Sequence, residues 1–288
     1  MQQPFISVKD VHFSYPDGTK ALFGASMDVY PGEIMSIVGQ NGSGKTTIVK
    51  LFNGILKPTT GDVIVDGKNT KTESSSKLAQ KVGYVYQNPS LQLFRNSVRD
   101  EVAFGLRLLK KPEEEIQKTV EESLRMIDMW DKADEYPFLL SMGEKQRVAI
   151  AAVLALGPEV LIVDEPTTGQ DFKRAYQFLK LFESMNKDFG KTIIFITHEM
   201  RFPAEFSKRI VVLSDGKILM DGKTHEVFGQ PEELKKSYVY PPAIVQLTAK
   251  LNGYGFAQDV LTVDDMHREL KRIVEENSTL NRAAGEGN

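Results

Sequence analysis

The sequence contains no cysteine among its 288 residues. It therefore cannot form disulfide bonds, zinc–thiolate sites or iron–sulfur clusters, all of which need cysteine sulfur. The absence is compatible with a reducing compartment.

Long apolar runs are also absent. The longest, Val148–Leu156, falls well short of the roughly 18–20 residues that a membrane-spanning helix needs. The first residues, Met1–Asp10, lack the basic and then apolar order of a secretory signal. We therefore expect a protein of the cytoplasm that reaches a membrane only through a partner protein.

An excess of positive charge is missing as well. The formal net charge is −3 at pH 7, whereas nucleic-acid-binding proteins normally present a basic face that replaces phosphate counterions. This balance argues against a nucleic-acid partner. With 41% hydrophobic and 26% charged residues, the chain is expected to fold as one large α/β domain with an appendage, or as two small domains.

Apolar patterning indicates how the chain is organised. Alternating apolar residues near the N-terminus, in Ile6–Tyr15 and Ala25–Val29, predict strands. Three continuous apolar runs, Ile34–Val38, Val160–Val163 and Thr192–Thr197, predict buried core strands. A mostly helical stretch lies between them, and further helices are predicted towards the C-terminus.

A glycine-rich segment follows the first of these buried runs. Gly39–Thr47 fits the pattern G-x-x-x-x-G-K-[ST] of a phosphate-binding loop, with a strand before it and a helix after it. The glycines allow backbone N–H groups to point at phosphate oxygens, and the helix N-terminus adds positive potential. Lys45 is expected to contact the β- and γ-phosphates, and Thr46 to offer its hydroxyl to Mg²⁺. The other predicted nucleotide contacts in the loop are Gly39, Asn41, Gly42, Ser43, Gly44 and Thr47.

Two acidic residues end a later buried run. Asp164 and Glu165 directly follow the apolar residues Val160–Val163. Many buried strands end in a carboxylate, but together with a phosphate-binding loop the pair predicts an ATPase site. Asp164 is expected to hold Mg²⁺ through water, and Glu165 to take the proton of an attacking water.

The segment Leu140–Arg147 indicates which kind of ATPase this is, because it resembles the LSGGQ signature of ABC ATPases. Met142 stands where the family has its first glycine, and Glu144 stands where it has glutamine. In that family the signature faces the nucleotide held by a second subunit. The resemblance implies that Ser141, Gly143 and Glu144 bind that nucleotide, with the serine and the glycine at the γ-phosphate.

Other family motifs follow in order over residues 5–230. Gln87 matches the Q-loop glutamine, which touches Mg²⁺ and the water, and His198 matches the switch histidine. Thr168–Asp171 stands at the D-loop, with glutamine in place of the usual leucine before the aspartate. Tyr15 stands where the family stacks an aromatic ring on adenine; its alternative is a place in the strand core.

The resemblance implies a fold and an assembly. The expected fold is α/β, with a P-loop NTPase (RecA-like) core, an antiparallel β-subdomain, a helical subdomain at about residues 88–150 and a small C-terminal helical extension. The ABC ATPase domain is expected at residues 1–230 and the extension at residues 231–288. Two ATP molecules are expected between two such subunits. The irregular signature favours a heterodimer with a related ATPase, and a homodimer is the alternative.

Within the ABC ATPases, the chain resembles the energy-coupling factor (ECF) group. The likeness lies in the segments Gln87–Phe94, Ser97–Gly105, Pro241–Thr248 and Val260–Asp264. This group drives uptake of vitamins and transition-metal ions, and its C-terminal extension helps the ATPases dimerise. The resemblance implies a transmembrane coupling subunit and a substrate-binding membrane subunit as partners, with this chain peripheral at the cytoplasmic face of the membrane.

Apolar residues near Gln87 have two interpretations. They either line a groove for a helix of the membrane partner or form the core of the helical subdomain. The residues are Leu91–Phe94, Val98, Val102 and Phe104.

Three other functions are weighed against an ECF-type ATPase. A soluble ABC ATPase of chromosome maintenance or translation is disfavoured, because neither long heptad arms nor a second cassette is present. A non-catalytic module is disfavoured, because Lys45, Gln87, Asp164, Glu165 and His198 are all present. The ATPase of another ABC transporter remains an alternative. The transported solute does not follow from the sequence.

Overall fold

The computed structural model describes residues 3–166, 172–257 and 259–285. Within these residues, ten strands form two sheets. The strands are β1 (Ile6–Ser14), β2 (Lys20–Val29), β3 (Ile34–Val38), β4 (Thr60–Val65), β5 (Lys68–Asn69), β6 (Val82–Val85), β7 (Val160–Asp164), β8 (Thr192–Ile196), β9 (Arg209–Ser214) and β10 (Lys217–Lys223). The α-helices are α1 (Lys45–Phe52), α2 (Ser75–Ala79), α3 (Val98–Leu108), α4 (Glu113–Met126), α5 (Met142–Leu154), α6 (Phe172–Phe189), α7 (Arg201–Phe206), α8 (Thr224–Phe228), α9 (Pro231–Lys235), α10 (Ala243–Lys250) and α11 (Val263–Gly285).

The larger sheet has the strand order β10-β9-β3-β8-β7-β6. All of its strands are parallel except β10, which pairs with β9 in an antiparallel hairpin. Every residue of β3, β7 and β8 is buried, which explains why each strand is a continuous apolar run. The carboxyl ends of the parallel strands meet at one edge of the sheet, where open α/β folds bind their ligands. The predicted α/β core is confirmed.

The smaller sheet is antiparallel, in the order β2-β1-β4-β5. Helix α1 joins the two sheets, because Ile48 and Phe52 are fully buried in a core that contains residues of both. Tight turns at Asp66–Gly67 and Asp215–Gly216 close the β4–β5 and β9–β10 hairpins, with positive φ at all four residues. The predicted antiparallel part near the N-terminus is confirmed.

Helices α3, α4 and α5 occupy the chain between β6 and β7. Ile116, Val120 and Leu124 form the inner face of α4, and each is at most 3% exposed. They belong to a core that also includes residues of α3 and α5. The helices lie where the sequence predicts a helical subdomain, and its boundary stays a prediction.

The segment that follows Gln87 has one buried part and one exposed part. Leu93 is 3% exposed, and Val98 and Val102 are fully buried in the core of the helical region. For these three residues the groove interpretation is wrong and the core interpretation is correct. Leu91 and Phe94, in contrast, are 77% and 55% exposed.

Four helices, α8 to α11, follow the last strand in the described part of the chain. Helix α11 begins with a reciprocal cap. The Thr262 hydroxyl accepts a hydrogen bond from the Asp265 N–H at 3.1 Å, and the Asp265 carboxylate accepts one from the Thr262 N–H at 2.9 Å. Among the described residues, no helix has both the length and the apolar character that crossing a bilayer requires.

The core of the helical region generates a stability prediction. Leu124 is fully buried, so Leu124→Ala leaves a cavity and should lower the free energy of unfolding by about 2–5 kcal/mol. Leu108, at the end of α3, is 67% exposed, and Leu108→Ala should change the free energy by about 0.5 kcal/mol or less. Urea unfolding of both variants checks this. Similar losses in the two variants would contradict the assigned core.

Candidate functional site

Within the segment Gly39–Thr47, Gly39–Gly44 forms a tight loop between β3 and α1, and Lys45–Thr47 begins α1. Two of its glycines are required by the backbone path. A Cβ on Gly39 would lie 2.2 Å from the Leu213 carbonyl oxygen, and one on Gly44 would lie 2.8 Å from the Ala21 carbonyl oxygen. Both also have positive φ, at 149° and 101°. The loop is therefore held against β9 and β2 in a conformation that a larger residue cannot adopt.

The Lys45 side chain lies inside this loop. It is 7% exposed, and its amine donates hydrogen bonds to the carbonyl oxygens of Gly39 at 2.8 Å and Gln40 at 2.9 Å. Burial lowers the pKa of the Lys45 amine from its ordinary value, and the carboxylates of Glu165 and Asp164 oppose this shift. The loop thus carries a buried positive charge that faces two acidic groups.

Ser43 and Tyr15 supply two further polar groups. The Ser43 hydroxyl is buried and has no hydrogen-bond partner among the described residues. Such an unpartnered group is costly unless a ligand satisfies it. The Tyr15 hydroxyl is hydrogen-bonded to the Thr47 hydroxyl at 2.8 Å, and its ring packs edge-on against Phe13 at 4.9 Å. Tyr15 therefore packs against the strand core and also lines the cleft, and its stacking on adenine stays a prediction.

Asp164 ends β7 and is 4% exposed. Its Oδ2 accepts a hydrogen bond from the Thr46 hydroxyl at 3.1 Å and another from the Tyr84 hydroxyl at 2.5 Å. Burial, followed by the adjacent negative charge of Asp164, raises the pKa of Tyr84 above its ordinary value. Tyr84 is therefore a neutral donor, and Asp164 is a carboxylate held between two hydroxyls.

Glu165 follows in a strained conformation. It is 7% exposed and has φ of 48°, in the left-handed region that non-glycine residues rarely adopt. Its backbone N–H donates to the Ile196 carbonyl at 2.8 Å, which fixes it beside the end of β8. Its Oε2 lies 2.8 Å from Nδ1 of His198, and this oxygen accepts no hydrogen bond from the described residues. The structure thus brings the predicted base and the predicted switch histidine together.

Lys45, Asp164, Glu165 and His198 line one cleft of about 910 Å³ at the carboxyl edge of the larger sheet. Gln87, which follows β6, also lines this cleft, and its side chain is exposed to solvent. The predicted site residues that line the cleft are Tyr15, Gly39, Asn41, Gly42, Gly44, Lys45, Thr46, Thr47, Gln87, Asp164, Glu165 and His198. The other predicted site residues, Ser43, Ser141, Gly143 and Glu144, do not line it.

The signature residues instead form the exposed start of α5. Ser141 and Glu144 make a reciprocal cap, in which the Glu144 carboxylate accepts from the Ser141 N–H at 2.9 Å and from its hydroxyl at 2.7 Å. The other Glu144 oxygen lies 2.5 Å from the Lys132 amine. The hydrogen bonds from Lys132 and then from Ser141 lower the pKa of Glu144 to about 2. Gly143 has no atom within 4 Å of where its Cβ would stand, so this surface is open.

Sequence reasoning missed several residues at and near the cleft. Tyr84 lies within an apolar strand and carries no local signal of its contact with Asp164. Gln146 is 3% exposed and donates to the Pro166 carbonyl at 2.9 Å, which ties α5 to the segment after Glu165. Tyr238 and Tyr240, which lead towards α10, also line the cleft. The predicted D-loop, Thr168–Asp171, lies outside the described residues.

Comparison with known proteins places the chain in a family. The family model described as ABC transporter matches residues 22–168. The chain belongs to the ABC transporter family. The ABC transporter ATP-binding protein TTE1589 of Caldanaerobacter subterraneus subsp. tengcongensis is 44% identical over 93% of this chain and 46% of its own length. The chain spans about half the length of this relative and of two relatives from Methanosarcina.

Other relatives match over most of their length. The energy-coupling factor transporter ATP-binding protein EcfA of Methanothermobacter thermautotrophicus is 39% identical over 93% of this chain and 87% of its own. Among solved structures, cbiO1 of Clostridium perfringens, part of the ABC transporter complex cbiONQ, has a TM-score of 0.74 at 37% identity and covers 86% of this chain and 100% of its own. The cassette MJ0796, solved as a dimer with ADP and Pi, has a TM-score of 0.69 at 30% identity and covers 76% of this chain and 98% of its own. These matches confirm the P-loop fold and the resemblance to the ECF ATPases.

The cap at the ABC signature generates a pH prediction. The folded-state pKa of Glu144, about 2, lies below the ordinary value of 4.5. The carboxylate's contribution to stability is therefore full above pH 4.5 and is lost as the pH falls towards 2. Glu144→Gln should lower the free energy of unfolding by about 1 kcal/mol or less at neutral pH, and urea unfolding should show a smaller difference from the parent in acid.

A matched control lies on α4. Glu122 is exposed and pairs with Lys118 at 3.9 Å, so Glu122→Gln should have little effect at either pH. Equal losses for the two variants, or a Glu144→Gln difference that grows in acid, would contradict the role of the cap.

Proposed function

We propose that this chain binds and hydrolyses ATP with Mg²⁺ and thereby powers a membrane importer of the energy-coupling factor type, for vitamins or transition-metal ions. The observation that carries the proposal is the meeting of the phosphate-binding loop, Asp164, Glu165 and His198 in one cleft. The resemblance to EcfA and to cbiO1 supports the choice of transporter group. The solute class comes only from that resemblance.

The cleft has the groups that a nucleoside triphosphate needs. Lys45 supplies a buried positive charge, and the backbone N–H groups at the start of α1 supply donors for phosphate oxygens. The Ser43 hydroxyl, buried in the phosphate-binding loop without a hydrogen-bond partner in the described chain, is proposed as one more polar contact once the loop holds phosphate. Tyr15 lies at the side of the cleft where an adenine ring would stack on it.

The residues near Asp164 fit Mg²⁺. This ion prefers oxygen ligands and is usually held by one or two protein groups together with substrate phosphates. Thr46 and Asp164 present adjacent oxygens, and Gln87 adds an amide oxygen. In the described ranges no cluster of three or more His, Asp or Glu forms a cage, so the phosphates would complete the coordination. Bound there, the metal would neutralise charge on the phosphates.

Glu165 is the proposed general base. A water oxygen attacks the γ-phosphorus, its proton passes to the Glu165 carboxylate, and the bond between the γ-phosphorus and the β–γ bridging oxygen breaks to release ADP and phosphate. His198, whose Nδ1 lies 2.8 Å from that carboxylate, is proposed to restrict its position. Lys45 stabilises the negative charge on the transferred group.

A second ATPase subunit is proposed to complete the site. Ser141, which is exposed, and Gly143, which is partly exposed, lie outside the cleft at the start of α5, where they can approach a nucleotide bound to another subunit. The partner is a related ATPase or a second copy of this chain. Residues 231–288 are proposed to help the pairing, since Leu247, Val263 and Leu270 expose 47%, 72% and 45% of their surface.

The membrane partners are proposed to dock beside Gln87. Leu91 and Phe94 are exposed, and Phe94 stacks edge-on against Phe104 at 4.9 Å. Because this apolar surface follows the Q-loop directly, a helix of the transmembrane coupling subunit seated on it would sense the state of the cleft. The chain would then be peripheral, at the cytoplasmic face of the membrane.

Hydrolysis is tested by two substitutions. Glu165→Gln keeps the size of the side chain and removes the base, so turnover of the partner-bound complex should fall about 10²–10⁴-fold with nucleotide binding retained. Lys45→Ala should instead weaken nucleotide binding by about 10-fold or more, because it removes a charge-assisted contact. Steady-state hydrolysis and equilibrium binding of a fluorescent ATP analogue distinguish the two. Near-normal turnover in Glu165→Gln would rule out its role as base.

Docking is tested by placing a charge on the exposed surface. Leu91→Asp should lower recovery of the membrane complex from detergent-solubilised membranes while ATP binding stays normal. Phe189→Asp is the matched control, since Phe189 is 61% exposed at the end of α6, at the opposite edge of the sheet. Full recovery of the complex with Leu91→Asp, or equal losses in both variants, would exclude this surface.

A further inference from the structure

Tyr84 reaches the metal-binding aspartate from the neighbouring strand. It lies in β6, paired with Ile162 of β7, and its side chain is 6% exposed. Its hydroxyl donates to Oδ2 of Asp164 at 2.5 Å, a short distance typical of a hydrogen bond to a carboxylate. A buried tyrosine hydroxyl normally needs a partner, and here the partner is a residue of the proposed catalytic cleft.

The contact orients the carboxylate. Oδ2 of Asp164 also accepts from the Thr46 hydroxyl at 3.1 Å, so two donors hold the same oxygen. In the part of the chain that the structure describes, Oδ1 receives no such bond from either hydroxyl. Rotation of the carboxylate would break both bonds, and the Tyr84 bond is the shorter of the two.

Strand β6 also leads directly to the Q-loop. Tyr84 packs edge-on against Tyr86 at 4.9 Å, and Gln87 is the next residue after Tyr86. One strand therefore supports two proposed metal-binding residues, Asp164 through the Tyr84 hydroxyl and Gln87 through the chain itself.

We infer that Tyr84 is a positioning residue that fixes the Asp164 carboxylate for Mg²⁺. This inference rests on the proposed binding of Mg²⁺ with ATP in the cleft. Groups that hold a metal ligand in place typically contribute about 10–100-fold to metal affinity. Tyr84 does not line the cleft itself, so its effect on the metal passes through Asp164.

The test is Tyr84→Phe, which removes the hydroxyl and keeps the buried ring. Binding of a fluorescent ATP analogue to the full chain is titrated with Mg²⁺, and then repeated in EDTA. The concentration of Mg²⁺ at half-effect should rise about 10-fold, while nucleotide affinity in EDTA and the melting temperature without ligand stay close to those of the parent. The matched control is Tyr86→Phe, whose ring lies on the same chain segment and whose hydroxyl does not contact Asp164 in the described structure.

The possible outcomes distinguish the positioning role of Tyr84 from the proposed binding of Mg²⁺ and ATP in the cleft. An unchanged Mg²⁺ requirement in Tyr84→Phe, or an equal rise in Tyr86→Phe, overturns the positioning role while the proposed function stands. An equal loss of affinity with and without Mg²⁺ also overturns it, because that result indicates a general structural role. If the parent chain itself binds nucleotide with no dependence on Mg²⁺, the proposed metal site fails and this inference fails with it.

Discussion

The parallel pairing of β3, β6, β7 and β8 is the constraint on which the rest of the structure depends. Because these strands run in one direction, the residues that follow each strand lie at the same edge of the sheet. The phosphate-binding loop, Gln87, Glu165 and His198 are far apart in sequence and meet for this reason. The strained backbone at Glu165 is tolerated because the residues around it are fixed. Asp164 belongs to β7, the Glu165 N–H donates to the Ile196 carbonyl of β8, and the Pro166 carbonyl accepts a hydrogen bond from Gln146 of α5.

Much of the cleft could be predicted from the sequence, because its main parts are contiguous patterns. The loop Gly39–Thr47 needs glycines at fixed spacing, and Asp164 with Glu165 directly follows a buried run. The position of Leu93 could not be predicted in the same way. Leu91–Phe94 is a short segment with three apolar residues between a strand and a helix. A segment of this length has no period that separates its buried Leu93 from its exposed Leu91 and Phe94.

Contacts between distant residues were beyond sequence reasoning. Tyr84 and Asp164 are 80 positions apart, and their hydrogen bond follows from the register of β6 against β7, which no local pattern reveals. Lys132 meets Glu144 for a similar reason, since the chain between them must turn before α5 begins. The irregular signature gains a physical explanation from this contact, because Glu144 completes a cap that also engages the Ser141 hydroxyl.

In the proposed assembly, the signature of one subunit completes the cleft of another. The chain has no cysteine. A cysteine introduced at one position is therefore the only thiol of the chain, and any disulfide it forms identifies the contact at that position. The measurement pairs Met142→Cys in this chain with a cysteine at the position that matches Asn41 in the partner ATPase, or in a second copy of this chain. The account predicts a disulfide between subunits that forms with ATP and is greatly reduced without nucleotide. Absence of that disulfide, in chains shown to bind ATP and to assemble, would contradict it.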